Sequence, residues 1–405
     1  MIINNLSLRN FRLFEDANIS FSERTTVLVG VNGAGKSTIL DAMSLLLSCY
    51  VGRFDGLGVR KIAQSDIRQV THKSGSSYEN VSQLPVEIAA TGSLGGDTVS
   101  WQGVKLKDTQ QSYSPSAYGQ MTRVSSRHQQ RLREGDMTLA LPLIVHYGAG
   151  RQWKREPSKK KRESKLRQTF RRLSAYDDCL DAHLTDTTLA AWYERMTFKT
   201  PQRGSDIPEF SAVRHALSNC LRTLTGFETI EFQSNLDTHE LDIIYVDDGP
   251  PVRVASSQLS DGYRVAFNLF ADIAYRAAML NPQLSDSVLG KTEGIVLIDE
   301  IELHLHPKRQ QIVLADLAAT FPRMQFVVTT HAPSVIASVN ENQLVIVDGG
   351  DIQPSTRSFY GRDSDFILRE LIAVPERQSA VNEDLLCRCS YEPAQETHAE
   401  MTAKL

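Results

Sequence analysis

A glycine-rich stretch near the start of the chain has the sequence Gly30-Val31-Asn32-Gly33-Ala34-Gly35-Lys36-Ser37. An apolar strand-like segment, Thr26–Val29, precedes this stretch, and a helix-like segment, Ser37–Met43, follows it. A strand, a glycine loop and a helix in this order form the context in which the Walker A pattern binds nucleotide phosphates. Glycine lets the backbone N–H groups turn toward the phosphates, and the helix N-terminus adds partial positive charge. By itself the pattern predicts only that a nucleotide binds here.

Within this site we expect Lys36 to reach the β- and γ-phosphates and Ser37 to ligate Mg²⁺, so the predicted cofactors are ATP and Mg²⁺. The residues predicted to contact the nucleotide from this loop are Gly30, Asn32, Gly33, Ala34, Gly35, Lys36, Ser37 and Thr38.

Three further motifs follow in the second half of the chain. They are Leu259–Arg264, which leads into an amphipathic pattern, Gly294–Glu300, an apolar strand that ends in two carboxylates, and Phe326–His331, a strand that ends in a histidine. In order and spacing the four motifs resemble the core of ABC-type ATPases, in which a signature motif, Walker B and a switch histidine follow Walker A. The predicted fold class is α/β, a P-loop NTPase with an ABC-type ATPase head, an antiparallel β flank and an inserted helical lobe.

The resemblance implies a role for each downstream motif in ATP hydrolysis. Asp299 would hold Mg²⁺, Glu300 would be the general base that activates water, and His331 would contact the γ-phosphate. The segment that follows, Ile301–Pro307, contains His304 and His306 and could be taken for a metal site. We interpret it instead as the D-loop region, which faces the second subunit of ABC-type dimers.

The signature residues are predicted to contact the nucleotide of a partner subunit, so that two chains enclose two ATP molecules. These residues are Ser260, Asp261 and Gly262. Asp261 replaces the usual glycine, and a carboxylate beside a triphosphate is unfavourable unless it points away. The predicted assembly is an ATP-bound dimer, and a higher oligomer is the alternative.

The opening Leu6–Phe14 resembles the start of the SMC and RecF group of ABC-type ATPases. By that resemblance Arg12 lies close to the nucleotide, although an exposed arginine at a strand end is an equal alternative. Between Walker A and the signature there are about 220 residues without sustained heptads, which indicates a head without coiled-coil arms. In this interval Gln64 or Asp66 could be the Q-loop ligand of Mg²⁺, or simply a surface polar residue.

The predicted organisation has four parts. Residues 1–150 form an N-terminal ATPase lobe, 151–245 a basic and helical insertion, 246–365 a C-terminal ATPase lobe and 366–405 a tail. The insertion opens with a cluster of basic residues, among them Lys159, Lys160, Lys161 and Arg162. This cluster is either a contact for a nucleic-acid backbone or a solvated loop before a helix.

Composition narrows the class of protein. The net charge is −4, so the chain as a whole has no polycationic bias toward nucleic acid. No apolar run approaches the roughly twenty residues that cross a bilayer, and Met1–Asn5 does not resemble a secretory signal. Five scattered cysteines predict a reducing compartment. We expect a cytoplasmic protein with no membrane contact.

A narrower resemblance rests on Tyr147–Arg151, on the signature helix and on the two strand motifs with their flanks. These segments resemble the PtuA-type ATPases of Septu and Septu-like retron anti-phage systems. The resemblance implies a separate HNH nuclease as partner and, for retrons, a reverse transcriptase and its RNA–DNA, with phage DNA as another ligand. About seventy residues follow His331, too few for the Toprim nuclease of related ATPases. The competing hypothesis is a RecF-like DNA-binding clamp in repair, and a transporter ATPase is a third.

Overall fold

The computed structural model describes residues 1–55, 57–74, 77–107, 119–150, 172–181, 186–246 and 249–371. The strands in these residues are β1 (Ile2–Phe11), β2 (Phe14–Ser20), β3 (Thr25–Val29), β4 (Gln69–Ser74), β5 (Ser77–Ser82), β6 (Val86–Leu94), β7 (Asp97–Lys105), β8 (Leu143–Tyr147), β9 (Thr229–Asn235), β10 (Glu240–Val246), β11 (Val252–Ala255), β12 (Gly294–Ile298), β13 (Met324–Thr330), β14 (Leu344–Asp348) and β15 (Asp351–Pro354). The α-helices are α1 (Lys36–Val51), α2 (Gly119–Arg133), α3 (Asp186–Arg203), α4 (Pro208–Thr225), α5 (Asp261–Leu280), α6 (Val288–Lys291), α7 (Pro307–Gln310), α8 (Val313–Thr320), α9 (Pro333–Ile336) and α10 (Ser364–Leu371).

A six-stranded sheet in the order β15-β14-β3-β13-β12-β8 forms the centre of the described part. Neighbouring strands from β14 to β8 run parallel, and only β15 pairs antiparallel at the edge. Every residue of β3, β8, β12 and β13 is buried. Continuous apolar strands of this kind are typical of a parallel sheet covered on both faces. Because parallel strands end at the same edge, the segments after β3, β8, β12 and β13 meet there.

An antiparallel sheet in the order β2-β1-β6-β7 lies beside this core. Its strands alternate between buried and exposed residues, as in β6, because one face packs inward. Helix α2 packs against β7 and against α1. This sheet is the antiparallel flank that the sequence predicts.

Helices α3 and α4 lie where the sequence predicts helical patterns, and they pack with the long helix α5 and with the small sheet β11-β10-β9. Trp192 makes edge-to-face contacts with Phe210 and Tyr275, which joins the three helices through aromatic rings. The basic cluster at Lys159–Arg162 and most of the predicted tail lie outside the described residues. The four predicted divisions therefore stay a prediction.

A buried ion pair ties α5 to the central sheet. The Arg276 Nε donates to Asp272 Oδ2 at 2.7 Å, and the Tyr147 hydroxyl at the end of β8 donates to the same oxygen at 2.7 Å. Since α5 begins at Asp261, this network fixes the signature helix against the strand next to Walker B. In the described residues no helix is long and apolar enough to cross a membrane.

Candidate nucleotide-binding site

The Walker A loop joins β3 to α1, as predicted, and glycine is required in it for two different reasons. Gly33 and Gly35 have φ values of 83° and 109°, in the left-handed region that other residues rarely adopt. Gly30 is needed for space, because a Cβ there would lie 2.1 Å from the carbonyl oxygen of Val347 in the neighbouring strand β14. The loop therefore favours glycine at all three positions, by backbone conformation at Gly33 and Gly35 and by lack of space at Gly30.

The first N–H groups of α1 point toward the loop. Gly35 is the N-cap residue, and no side chain in the described part of the protein caps this helix end. Uncapped N–H groups at the start of a sixteen-residue helix are suited to bind an anion such as phosphate.

Lys36 is held against the same loop. Its Nζ donates hydrogen bonds to the carbonyl oxygens of Gly30 at 2.8 Å and Val31 at 2.9 Å. Burial lowers the pKa of Lys36, while attraction to the Asp299 and Glu302 carboxylates acts in the opposite direction. The lysine is thus a partly desolvated cation next to carboxylates, which a phosphate group can engage as an alternative to the loop carbonyls.

Asp299, directly after β12, bridges Walker A and the strand that precedes His331. Ser37 donates its hydroxyl proton to Asp299 Oδ2 at 2.8 Å, and Thr329 donates its hydroxyl proton to Asp299 Oδ1 at 2.6 Å. The structure therefore brings together the two residues predicted to hold Mg²⁺. Hydroxyl and carboxylate oxygens are the ligands that Mg²⁺ prefers, and Mg²⁺ sites in such proteins use few protein ligands.

Glu300 adopts a left-handed backbone conformation with φ of 49°. Its N–H donates to Thr329 Oγ1 at 2.8 Å, and the next N–H, of Ile301, donates to the Thr329 carbonyl at 3.1 Å. These bonds stabilise a conformation that a non-glycine residue rarely adopts. The turn after β12 is therefore held in place by β13.

His331, directly after β13, contacts a carboxylate that has no assigned role in the sequence analysis. The His331 N–H donates to Glu302 Oε1 at 2.8 Å, and His331 Nδ1 lies 2.9 Å from the same oxygen. The Glu302 side chain is 6% exposed, whereas that of His331 is 49% exposed. Glu302 is thus a third carboxylate beside Asp299 and Glu300.

Arg12 is engaged by two carboxylates. Its NH1 group contacts Asp41 on α1 at 2.7 Å, and its Nε contacts Asp66 at 2.9 Å. Asp66 also accepts a hydrogen bond from the Ala63 N–H at 2.9 Å, in the short 3₁₀ helix Gln64–Asp66. In this conformation Arg12 and Asp66 pair with each other, and Gln64 is exposed. Nucleotide contact by Arg12 and Mg²⁺ ligation by Gln64 or Asp66 stay predictions.

The central sheet places another segment at the site. Strand β8 pairs with β12, and its carboxyl end leads into Gly148, Ala149 and Gly150 beside Walker B. His146 on β8 is buried, and burial lowers its pKa, with Asp41 and Asp299 acting in the opposite direction. The strand order therefore places the glycine turn at the same edge of the sheet as Asp299.

The predicted signature residues begin α5. Ser260 is the N-cap residue, and Asp261 pairs with Arg264 at a distance of 2.5 Å between carboxylate and guanidinium. A Cβ on Gly262 would lie 2.6 Å from the carbonyl oxygen of His304, so the signature packs against the segment after Walker B. The Asp261 carboxylate is thus paired with the Arg264 guanidinium, three residues later on the same helix.

The histidines of Ile301–Pro307 have local roles. His306 is the N-cap residue of α7, where its Nδ1 accepts from the Lys308 N–H at 3.4 Å. Across the ranges that the structure describes, no group of three or more His, Cys, Asp or Glu side chains could hold a metal ion.

Two family profiles match the chain. Residues 5–200 match a family described as an AAA domain, and residues 190–337 match one described as an AAA domain, putative AbiEii toxin, Type IV TA system. The Retron Vc95 probable ATPase of Vibrio cholerae is 27% identical over 90% of this chain and 77% of its own length. The Retron Ec83 probable ATPase of Escherichia coli is 24% identical over 92% of this chain and 76% of its own.

A shorter match links the chain to Septu systems. The Septu protein PtuA of Bacillus mycoides is 36% identical over 22% of this chain and 12% of its own length. These likenesses and the sheet order confirm the predicted P-loop, ABC-type fold class and the predicted resemblance, and they support ATPase activity.

Proposed function

We propose that this chain, an ABC-type P-loop ATPase similar to retron and Septu ATPases, dimerises around ATP and controls a partner HNH nuclease in bacterial anti-phage defence. The observation that carries the ATPase part is the double hydrogen bond of Asp299 to Ser37 and Thr329. It joins Walker A, Walker B and the strand before His331 at one edge of one sheet. Groups for phosphate binding, Mg²⁺ ligation and water activation are therefore adjacent.

The chemistry follows from these neighbours. Lys36 and the N–H groups at the start of α1 bind and orient the phosphates, and Ser37 and Asp299 would hold Mg²⁺, which neutralises phosphate charge when bound. Glu300 accepts a proton from the attacking water, and His331 contacts the γ-phosphate. Asp299, Glu300 and His331 act from strand ends, and Lys36 and Ser37 act from the start of α1, which follows β3 through the Walker A loop.

Dimerisation around ATP has support from the signature helix. Helix α5 is twenty residues long, and in the described structure no side chain caps its N-terminus at Ser260. Such a helix end can bind the phosphate of a nucleotide held by a second chain. Asp261 stands where ABC-type signatures usually have glycine. Because Arg264 balances the charge of Asp261, this replacement does not leave an uncompensated carboxylate beside that phosphate.

The defence role rests on similarity. Relatives named as retron probable ATPases match about nine-tenths of this chain. On the basis of the resemblance to PtuA-type ATPases, the proposed partner is an HNH nuclease. The proposed nucleic-acid ligands are retron RNA–DNA or phage DNA. In this proposal the protein works in the cytoplasm, and the basic segment at Lys159–Arg162 contacts the nucleic-acid backbone.

The ATPase part is tested with Glu300→Gln, which removes the base and keeps the shape. We expect the variant to bind ATP, to hydrolyse it at least about a hundredfold more slowly, and to accumulate as a dimer with ATP and Mg²⁺. Turnover is measured by phosphate release and mass by light scattering after gel filtration, with EDTA as the metal-free control. Hydrolysis by the variant at the wild-type rate would contradict the role of Glu300.

The partner part is tested by tagged purification from the native host, followed by mass spectrometry and nuclease-treated gels. A co-purifying HNH protein, with or without a small RNA–DNA, is expected. A dimer that carries only bulk DNA, with ATPase activity stimulated in proportion to DNA length, would favour the RecF-like clamp instead.

A further inference from the structure

The Glu302 side chain is buried at the candidate nucleotide site, and its carboxylate contacts His331. Its Oε1 accepts a hydrogen bond from the His331 N–H at 2.8 Å and lies 2.9 Å from His331 Nδ1. Its second oxygen, Oε2, is buried and has no hydrogen-bond partner among the residues described. A carboxylate removed from water in this way is unfavourable unless its contacts offset the loss of hydration.

The turn after β12 explains why Glu302 lies there. The Ile301 N–H donates to the Thr329 carbonyl, so the chain runs beside the end of β13 just before Glu302. The Leu303 N–H donates to the Glu300 carbonyl at 3.0 Å and the Leu305 N–H to the Glu302 carbonyl at 2.9 Å, which closes two tight turns. These backbone contacts therefore place the Glu302 side chain beside His331, the residue that follows β13.

The contact with Glu302 favours a proton on His331 Nδ1. A carboxylate oxygen and an unprotonated ring nitrogen are both acceptors, so the 2.9 Å distance between them is attractive only when Nδ1 carries a proton. Nε2 is then the ring nitrogen left for a phosphate, on a ring that is half exposed while Glu302 is covered. Because phosphate oxygens accept hydrogen bonds, Nε2 donates to a phosphate only when it carries a proton as well, that is, when the ring is an imidazolium whose charge Glu302 balances. In this arrangement the buried carboxylate orients the ring and the exposed edge can meet a ligand.

A nearby cation makes the buried carboxylate tolerable. Glu302 attracts Lys36, and that attraction is larger than the one from Glu300. Glu302 is nevertheless a poor candidate for the base that activates water, because Oε1 accepts the His331 N–H and lies against His331 Nδ1, and the side chain is covered.

We propose that Glu302 is a positioning residue for ATP hydrolysis, which holds His331 through its N–H and Nδ1 so that Nε2 faces the γ-phosphate. The inference rests on the proposed ATPase function and adds a residue to it. In this proposal Glu302 affects the hydrolysis step through His331, so its effect on kcat should vanish when His331 is absent. Lys36 is held by the carbonyl oxygens of Gly30 and Val31 and not by Glu302, so ATP affinity should change less than kcat.

The kinetic test is a double-mutant cycle with Glu302→Ala, His331→Ala and the double variant. We expect Glu302→Ala to lower kcat about 10- to 100-fold, with KM for ATP changed less than about threefold. The double variant should be no slower than His331→Ala alone. Glu302→Gln, which keeps an accepting oxygen without the charge, should retain part of the activity, and Glu79→Gln, an exposed glutamate on β5, is the matched control.

A structural readout accompanies the cycle. In protein with ¹⁵N-labelled histidine at about pH 8, where a typical imidazole is neutral, the ring nitrogens of His331 report the tautomer. His331→Ala identifies their signals. We expect a proton on Nδ1 in the wild type and a change of tautomer population in Glu302→Ala.

The outcomes separate the two proposals. If wild-type protein does not hydrolyse ATP, the proposed function fails, while the tautomer still tests the contact without nucleotide. If the wild type is active but the losses of Glu302→Ala and His331→Ala add, or the tautomer is unchanged in Glu302→Ala, the positioning role is wrong. Thermal unfolding of each variant excludes a loss of kcat that follows merely from unfolding.

Discussion

The hydroxyl of Thr329 donates to Asp299 Oδ1 at 2.6 Å and accepts the Glu300 N–H at 2.8 Å. One completely buried side chain thereby fixes both carboxylate residues that follow β12. Since Thr329 lies two residues before His331, these hydrogen bonds join the strand that precedes His331 directly to the Walker B residues. Thr329 has no assigned role in the sequence analysis, and no motif singles it out.

Thr329→Val tests this link, because valine keeps the shape and removes the hydroxyl. The Glu300 N–H and Asp299 Oδ1 would each lose a partner in a buried place. We expect the free energy of unfolding to fall by about 1–3 kcal/mol, together with a reduced kcat. Thr329→Ser, which retains the hydroxyl, is the control, and urea unfolding and phosphate release are the measurements. Wild-type activity in Thr329→Val would show that the hydroxyl does not position Glu300.

Two glycines of the Walker A loop should respond differently to alanine. In Gly30→Ala the new Cβ collides with the Val347 carbonyl oxygen, so β3 and β14 must separate, at a cost of about 3 kcal/mol, and the loop should lose ATP affinity. In Gly33→Ala nothing lies within 4 Å, and only the positive φ opposes the change, by about 1 kcal/mol. Thermal unfolding with and without Mg²⁺–ATP compares the two. Equal losses would contradict the steric argument.

The buried pair Asp272–Arg276 should be sensitive to removal of one partner. Asp272→Asn leaves the Arg276 guanidinium buried without a counter-charge, and we expect a loss of about 3–5 kcal/mol in the free energy of unfolding. Tyr147→Phe removes only one hydrogen bond to Asp272 and should cost about 1 kcal/mol. Urea unfolding distinguishes them, and a larger loss in Tyr147→Phe than in Asp272→Asn would overturn the assignment.

His128 on α2 predicts a pH dependence of stability. Its Nδ1 is hydrogen-bonded to the Tyr50 hydroxyl at 2.8 Å, and burial, with Arg131 and Arg127 nearby, lowers the pKa of His128 to about 4. The unfolded histidine titrates near 6.5, so the unfolded chain takes up the proton first as the pH falls. The stabilisation is present above about pH 6.5 and is lost as the pH falls toward 4.

The measurement is the free energy of unfolding of wild type and His128→Gln between pH 7 and 4.5. Because the ring is partly exposed, we expect the wild type to lose about 1–2 kcal/mol more than the variant over this range. Parallel pH profiles would show that His128 is not responsible. His215, an exposed histidine on α4 changed to glutamine, serves as the control.

Local sequence patterns were sufficient to predict residues that the structure brings together at one edge of the sheet, such as Ser37 and Asp299. Lys36 and Ser37 could be predicted because a strand, a glycine loop and a helix occupy one short segment, so that their relation needs no distant contact. Asp299 and His331 could be predicted because each ends an apolar strand, and the ends of parallel strands share an edge. The Asp261–Arg264 pair can also be inferred from sequence spacing, since both residues lie on one turn of one helix.

Contacts between residues on different strands could not be predicted from local patterns in this way. Glu302 lies three residues after Asp299 and resembles many exposed glutamates in sequence, yet it is buried because the turn after β12 runs against the end of β13. Thr329 is one of two consecutive threonines at that strand end, and only the register of Val296 opposite Phe326 decides which hydroxyl meets Asp299. Gly148 lies at the same sheet edge as Asp299 because β8 pairs with β12.

By itself, the sequence determined that this chain builds a P-loop ATPase head, because each motif is a short run whose chemistry and spacing suffice to define it. The tertiary structure decided which side chains support those motifs, and it pairs Glu302 with His331 and Thr329 with Asp299. The physical reason is that strand order and register are set by burial of the whole apolar sheet, through contacts between residues far apart in the chain.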